Sequence, residues 1–217
     1  MIPSRLPSSH EVTQSVNNVL TTLIETRAVE YKQSETFGVL EPHIVKTAMA
    51  MSNLRGGGFI IVGVGPSGTD GLTRTGISSD HLATYDSDDL LAKINRFSSP
   101  AVSAMVATVE HNNIEYLVIA VQEFERTPVI CRRDGQWPDK QRVFAGTIFI
   151  RPTGLVETRT PQTAAELDEV IDLAAEKRAI YLIRMRETLN ATGGASVPAA
   201  PTAAEQYIAE LGKAAEL

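Results

Sequence analysis

The stretch Met51-Ser52-Asn53-Leu54-Arg55-Gly56-Gly57-Gly58, running into Phe59-Ile60-Ile61-Val62-Gly63-Val64, constrains the fold of this chain more than any other. Asn53 and the glycines stop a helix, because a helix C-terminus needs the left-handed backbone region that glycine and asparagine reach most easily. The apolar run that follows has no polar face, so it reads as a central strand covered on both sides. A helix, a tight turn and a doubly covered strand predict one α+β domain. Upstream, Glu25-Thr26-Arg27-Ala28-Val29-Glu30-Tyr31-Lys32 puts two carboxylates and a lysine within one short segment.

Periodicity fills in the rest. Residues 1–9 read as a loose arm. A helix follows from Glu11, with Val12, Val16, Val19, Leu20, Leu23 and Ile24 on one face and Glu25 at or just past its end. Residues 29–33 read as extended, with Val29 and Tyr31 on one side and Glu30 and Lys32 on the other. Residues 33–39 read as a polar loop, and Pro42 suits the first turn of the next helix. Residues 65–79 have no period and read as a long loop. Asp86, Ser87, Asp88 and Asp89 cap a helix that runs through Phe97. Residues 102–110 and 114–122 are strands about a turn at His111-Asn112-Asn113. Residues 127–131 and 147–151 are short strands flanking a charged loop with the only tryptophan, Trp137. Capping boxes at Thr163/Glu166 and Thr202/Glu205 open a long helix to about residue 190 and a short tail helix carrying Ile208 and Leu211. The expected organisation is an arm and helix (1–24), an α+β domain with a mixed sheet and flanking helices (25–160), a long helix (161–190), and a linker with a tail helix (191–217).

Composition excludes several functions. The net charge of −6 argues against wrapping nucleic acid over the whole surface, but leaves room for a local basic face. Arginines outnumber lysines 14 to 6, and arginine is the side chain that forks onto phosphate. Cys131 is the only cysteine, which rules out an intrachain disulfide and a cysteine-rich zinc site and points to a reducing cytoplasm. Arg132 and Arg133 beside it would lower its pKa, yet a structural thiol is the simpler reading. No apolar run approaches the ~20 residues of a membrane helix, so no membrane partner is expected. His10, His43, His81 and His111 lack ligand spacing. Gly63-Val64-Gly65-Pro66-Ser67-Gly68 fits a glycine-rich dinucleotide pattern after a strand, but Pro66 and the residues beyond do not open the helix such a site needs.

The carboxylates remain. Glu25 and Glu30 are separated by a break from helix to strand, which can turn two side chains toward one point. Converging carboxylates bind Mg²⁺ or Mn²⁺, and such a metal activates water against a phosphodiester. From spacing alone, a Glu30/Lys32 pair on a solvated strand face is the simpler reading.

The order of motifs resembles the Schlafen AlbA_2 family, also called the divergent AAA-4 domain. Glu25, Glu30, Tyr31 and Lys32 match its opening. Asn53 to Gly57 match its helix-ending turn, and Gly63-Val64 and Gly71-Leu72 the strand and loop beyond. Pro128-Val129 and Ile150-Arg151-Pro152-Thr153-Gly154 match later segments. The resemblance implies an α+β fold and a nucleic-acid-binding role. In nuclease-active Schlafen members two glutamates and an aspartate form a metal-dependent site that cleaves RNA. The glutamates carry over to Glu25 and Glu30. The aspartate position holds Pro66, a departure from the family pattern, and Asp70, on the same loop, substitutes for it only if that loop folds back.

Three expectations follow. The first is a DNA- or RNA-binding module, with Lys32, Arg55 and Arg151 and the amides of Gly56 and Gly57 on phosphate. The second is a nuclease with Glu25, Glu30 and Asp70 as catalytic residues and as ligands of Mg²⁺ or Mn²⁺. The third is an assembly protein that forms homo-oligomers through its C-terminal helices.

Overall fold

Val12, Val16 and Leu20 fall on one stripe of the first helix and are fully buried, which is what recruits that helix to a sheet. The computed structural model describes residues 9–68, 71–138 and 141–191. In chain order the elements are α1 (Ser9–Thr22), β1 (Val29–Lys32), α2 (Phe37–Ser52), β2 (Gly58–Val62), β3 (Val64–Pro66), β4 (Leu72–Arg74), α3 (Ser79–Leu82), α4 (Ser87–Phe97), β5 (Ser98–Ser99), β6 (Ala104–His111), β7 (Ile114–Val121), β8 (Ile130–Cys131), β9 (Gly135–Gln136), β10 (Arg142–Val143) and α5 (Ala164–Ala191). The chain forms two compact units, Met1–Lys177 and Arg178–Leu217.

The first unit is built on a four-stranded sheet of order β1-β2-β7-β6. β1 runs parallel to β2, and the other neighbours are antiparallel, so the sheet is mixed. The unbroken apolar run of β2 has its explanation here. Ile60 and Val62 face α2 and α4 in one core, while Ile61 faces α1 in the other, with Val29, Tyr31, Tyr116 and Val118. The β6–β7 hairpin closes on Asn112 and Asn113, whose φ angles of 53° and 60° give the turn that matches strand twist.

Several expected boundaries move. α2 starts at Phe37, so Pro42 lies inside the helix rather than in its first turn. Thr84 Oγ1 accepts from Phe37 N at 2.9 Å, capping the helix from a distant segment. The loop expected over 65–79 contains the β3–β4 hairpin. Gly63 enters it with φ +116°, where an added Cβ would meet the Gly76 backbone at 2.7 Å. The glycine-rich pattern thus leads into a hairpin, not a helix. The strand expected over 147–151 is a single bridge, Ile150 to Arg159.

The second unit contains the last turns of α5, where Leu182, Ile183, Met185 and Leu189 are exposed. The expected tail helix at 202–211 lies outside the described residues. Among those described, no helix is long and apolar enough to cross a membrane.

Candidate functional site

β1 is an edge strand, so carbonyls of β1 and of the turn that leads into it need partners from elsewhere. Arg151 supplies them. Its Nε donates to Arg27 O at 2.6 Å, and its Nη2 to Thr26 O at 3.1 Å and Val29 O at 3.4 Å. Its Nη1 donates to Glu30 Oε2 at 2.5 Å. The Arg151 side chain is fully buried. Glu30 is buried as well, and its other oxygen accepts from Lys32 Nζ at 2.5 Å. β1 alternates as expected, with Glu30 and Lys32 opposite Val29 and Tyr31, but the Glu30 face is not solvated. It is a buried Arg–Glu–Lys cluster.

Glu25 follows α1, half-buried. Burial, and then the negative charge of Glu30, raise its pKa above the ordinary carboxylate value, against a hydrogen bond to the Tyr31 backbone. Burial, and then Glu25, push the Tyr31 hydroxyl up to about 12. The two glutamates therefore do feel one another. Their donor set still does not fit a divalent ion, because each oxygen of Glu30 already holds a cationic group. Among the described residues no three His, Cys, Asp or Glu side chains gather to hold a metal. Pro66 ends β3 on the surface, and Asp70 lies outside the described residues.

The glycine turn is equally engaged. Gly56 N donates to Glu123 Oε2 at 2.8 Å, and Gly57 N to Leu54 O at 2.9 Å. Gly57 has φ +71°, and a Cβ there would lie 2.0 Å from Val121 O, so packing against β7 requires the glycine. Asn53 does more than end α2. Its amide donates to Val129 O and Phe149 O and accepts from Val129 N, tying two later segments to the helix end. Arg55 Nη2 donates to Glu176 on α5 at 2.7 Å. Arg27 donates to Glu169 on the same helix at 2.6 Å and also bonds Thr153. A groove of about 440 Å³ lies here, lined by Arg27, Asn53, Leu54, Arg55, Glu169 and Asp172.

These positions account for every sequence-predicted residue among those described. Glu25, Glu30, Lys32 and Arg151 are brought together. Arg55, Gly56 and Gly57 form a separate cluster beside the groove. Arg151 lies inside the protein, and the Gly56 and Gly57 amides are already hydrogen-bonded.

Residues 25–157 match the family model described as Schlafen, AlbA_2. The chain belongs to the Schlafen AlbA_2 family. No curated protein matches it. Among solved structures, the DIP2311 protein of Corynebacterium diphtheriae is similar at 14% identity and a TM-score of 0.45, over 75% of this chain and 29% of that one. This chain thus spans less than a third of that protein. The N-terminal domain of a RecG-related protein from Nitrosomonas europaea is similar at 16% identity and a TM-score of 0.41, over 70% of this chain and 94% of that domain.

In this Schlafen AlbA_2 chain, sequence reasoning missed Arg27 and the α5 carboxylates. Arg27 sits inside the opening motif, between the two glutamates, and that placement was the available signal. Nothing local marks Glu169 as its counterpart, or Glu176 as that of Arg55. Cys131 is buried, which raises its thiol pKa despite the two arginines that follow.

Proposed function

We propose that this chain binds nucleic acid, and that it does so without a metal ion at Glu25 and Glu30. The family supplies the ligand class. The observation that separates holding from cutting is the state of Glu30, clamped between Lys32 and Arg151. Recruiting Glu30 to a metal would strip Arg151 of its buried counter-charge, which is strongly unfavourable. Cleavage by Glu25, Glu30 and Asp70 would need that cluster to open first. Binding through arginine releases counterions from the phosphate backbone, so affinity should fall steeply with salt. Fluorescence anisotropy with labelled single-stranded RNA, single-stranded DNA and duplex DNA tests the reading. Association that weakens as salt rises supports it, and no association with any of them at low salt sinks it.

A second, compatible reading is assembly through the C-terminal helix. Leu182, Ile183, Met185 and Leu189 are 51%, 58%, 43% and 49% exposed, and apolar side chains in such a run want a cover. Mass in solution tests this. Leu182→Glu/Leu189→Glu should convert an oligomer to monomers, and a wild-type chain that is already monomeric contradicts it.

A further inference from the structure

Two groups stand out among the described arginines of the first unit. Arg27, Arg55, Arg151 and Arg159 are held by carboxylates, and Arg74 by the Leu20 and Thr21 carbonyls that end α1. Arg96, Arg132, Arg133 and Arg142 are exposed, and none of them pairs with a carboxylate among the described residues. The segments that carry these four meet at Phe97. Arg96 ends α4, and its guanidinium lies 5.9 Å from the Phe97 ring centroid, while that of Arg133 lies 6.0 Å from the same ring. Arg132 N donates to Phe97 O at 2.7 Å. Phe97 packs on Trp137 with ring centroids 5.1 Å apart. Gly135 packs so closely on Phe97 that a Cβ would meet its ring at 2.4 Å. β9, which carries Gly135, pairs with β10, which opens at Arg142. The Phe97 ring thus carries the Arg96 and Arg133 guanidinium groups, with Arg132 and Arg142 on the segments packed beside it. Of the acids beside them, Asp134 accepts from Ala145 N at 2.8 Å and closes a turn, and Glu41 accepts from Trp137 Nε1 and pairs with Lys93. Phe144 adjoins the cluster and is 58% exposed.

We propose that Arg96, Arg132, Arg133 and Arg142, with Phe144, form the surface that takes single-stranded nucleic acid. The proposal rests on the nucleic-acid-binding reading and moves its contact away from the family motif residues. Four arginines, with Asp134 and the Lys93-paired Glu41 beside them, leave net positive charge on these segments, which a polyanion neutralises. A single strand also supplies bases for an exposed ring to stack on, which an acidic polypeptide does not.

The test uses the full chain and a labelled oligothymidylate. Arg132→Gln/Arg133→Gln/Arg142→Gln should weaken binding roughly tenfold or more and make the logarithmic salt slope shallower by about two units. Removing the same number of charges elsewhere, by Arg27→Gln/Arg55→Gln/Arg159→Gln, should change affinity less than about threefold, since those side chains are already neutralised. Phe144→Ala should weaken binding and leave the salt slope unchanged. Unchanged thermal melting of the Arg132/Arg133/Arg142 variant and of Phe144→Ala separates lost contact from lost fold. If the Arg27 set abolishes binding while the Arg132 set does not, this inference is overturned and the nucleic-acid reading stands. A wild-type chain that binds no oligonucleotide overturns both. Displacement of the oligonucleotide by polyglutamate at equal charge would make the surface a site for acidic protein, and the proposal would be wrong.

Discussion

Arg151 and Glu30 carry the largest single-residue consequence. The arginine is fully buried and serves the edge of β1 and the Glu30 carboxylate at once. Arg151→Ala leaves Glu30 buried with only Lys32, so the variant should lose about 3–5 kcal/mol of stability in urea denaturation. A loss below about 1 kcal/mol would match a surface ion pair instead. Glu25 has the opposite sign. Its folded pKa is raised by burial and by Glu30, so its ionised form opposes folding. That contribution favours the folded state below the ordinary carboxylate value and disappears as pH rises through the raised value. Glu25→Gln should therefore raise the melting temperature at pH 7, and the gain should shrink in acid. A lowered melting temperature at pH 7 would contradict this. The alternation of β1 was legible in the sequence because it is local. The clamp was not, because Arg151 reaches Glu30 from 121 positions away.

At the scale of elements, the part of α5 that belongs to the first unit is tied to its neighbours through carboxylates. Its Glu166 is pulled down to about 2, chiefly by a hydrogen bond from Arg159. Glu169 and Glu176 are lowered chiefly by Arg27 and Arg55. Folded values below the ordinary 4.5 mean that these groups stabilise docking above that value and release it as pH falls, down to about 2 for Glu166. Hydrogen exchange should show the first turns of α5 losing protection over that acidic range while β2 and β7 keep theirs. Glu169→Gln/Glu176→Gln should shift that release, and protection independent of pH would contradict the account. Elements were legible where their signals were local: the Asn112-Asn113 turn, the Asp86 cap on Asp89 N and the long helix after Thr163. The start of α2 was hidden because its cap comes from Thr84. The β3–β4 hairpin was hidden because Gly, Ser and Thr give a short strand no period.

At the scale of the molecule, an acidic chain leaves Arg96, Arg132, Arg133 and Arg142 of its first unit without carboxylate partners among the described residues and pairs Arg27, Arg55 and Arg151, near the family motifs, with carboxylates. Family membership was readable from the order of weak motifs. Which of their residues meet solvent was not, since burial depends on what the rest of the chain brings against them. The central claim is that this chain holds nucleic acid by charge, with Glu30 as a structural anion rather than a metal ligand. The most direct measurement titrates a labelled single-stranded RNA with the full chain at low salt, first with a chelator and then with Mn²⁺, reading affinity and strand length together. The account predicts equal affinity in both conditions and an intact strand. Binding that requires Mn²⁺, or cleavage that is lost in Glu30→Ala, would contradict it.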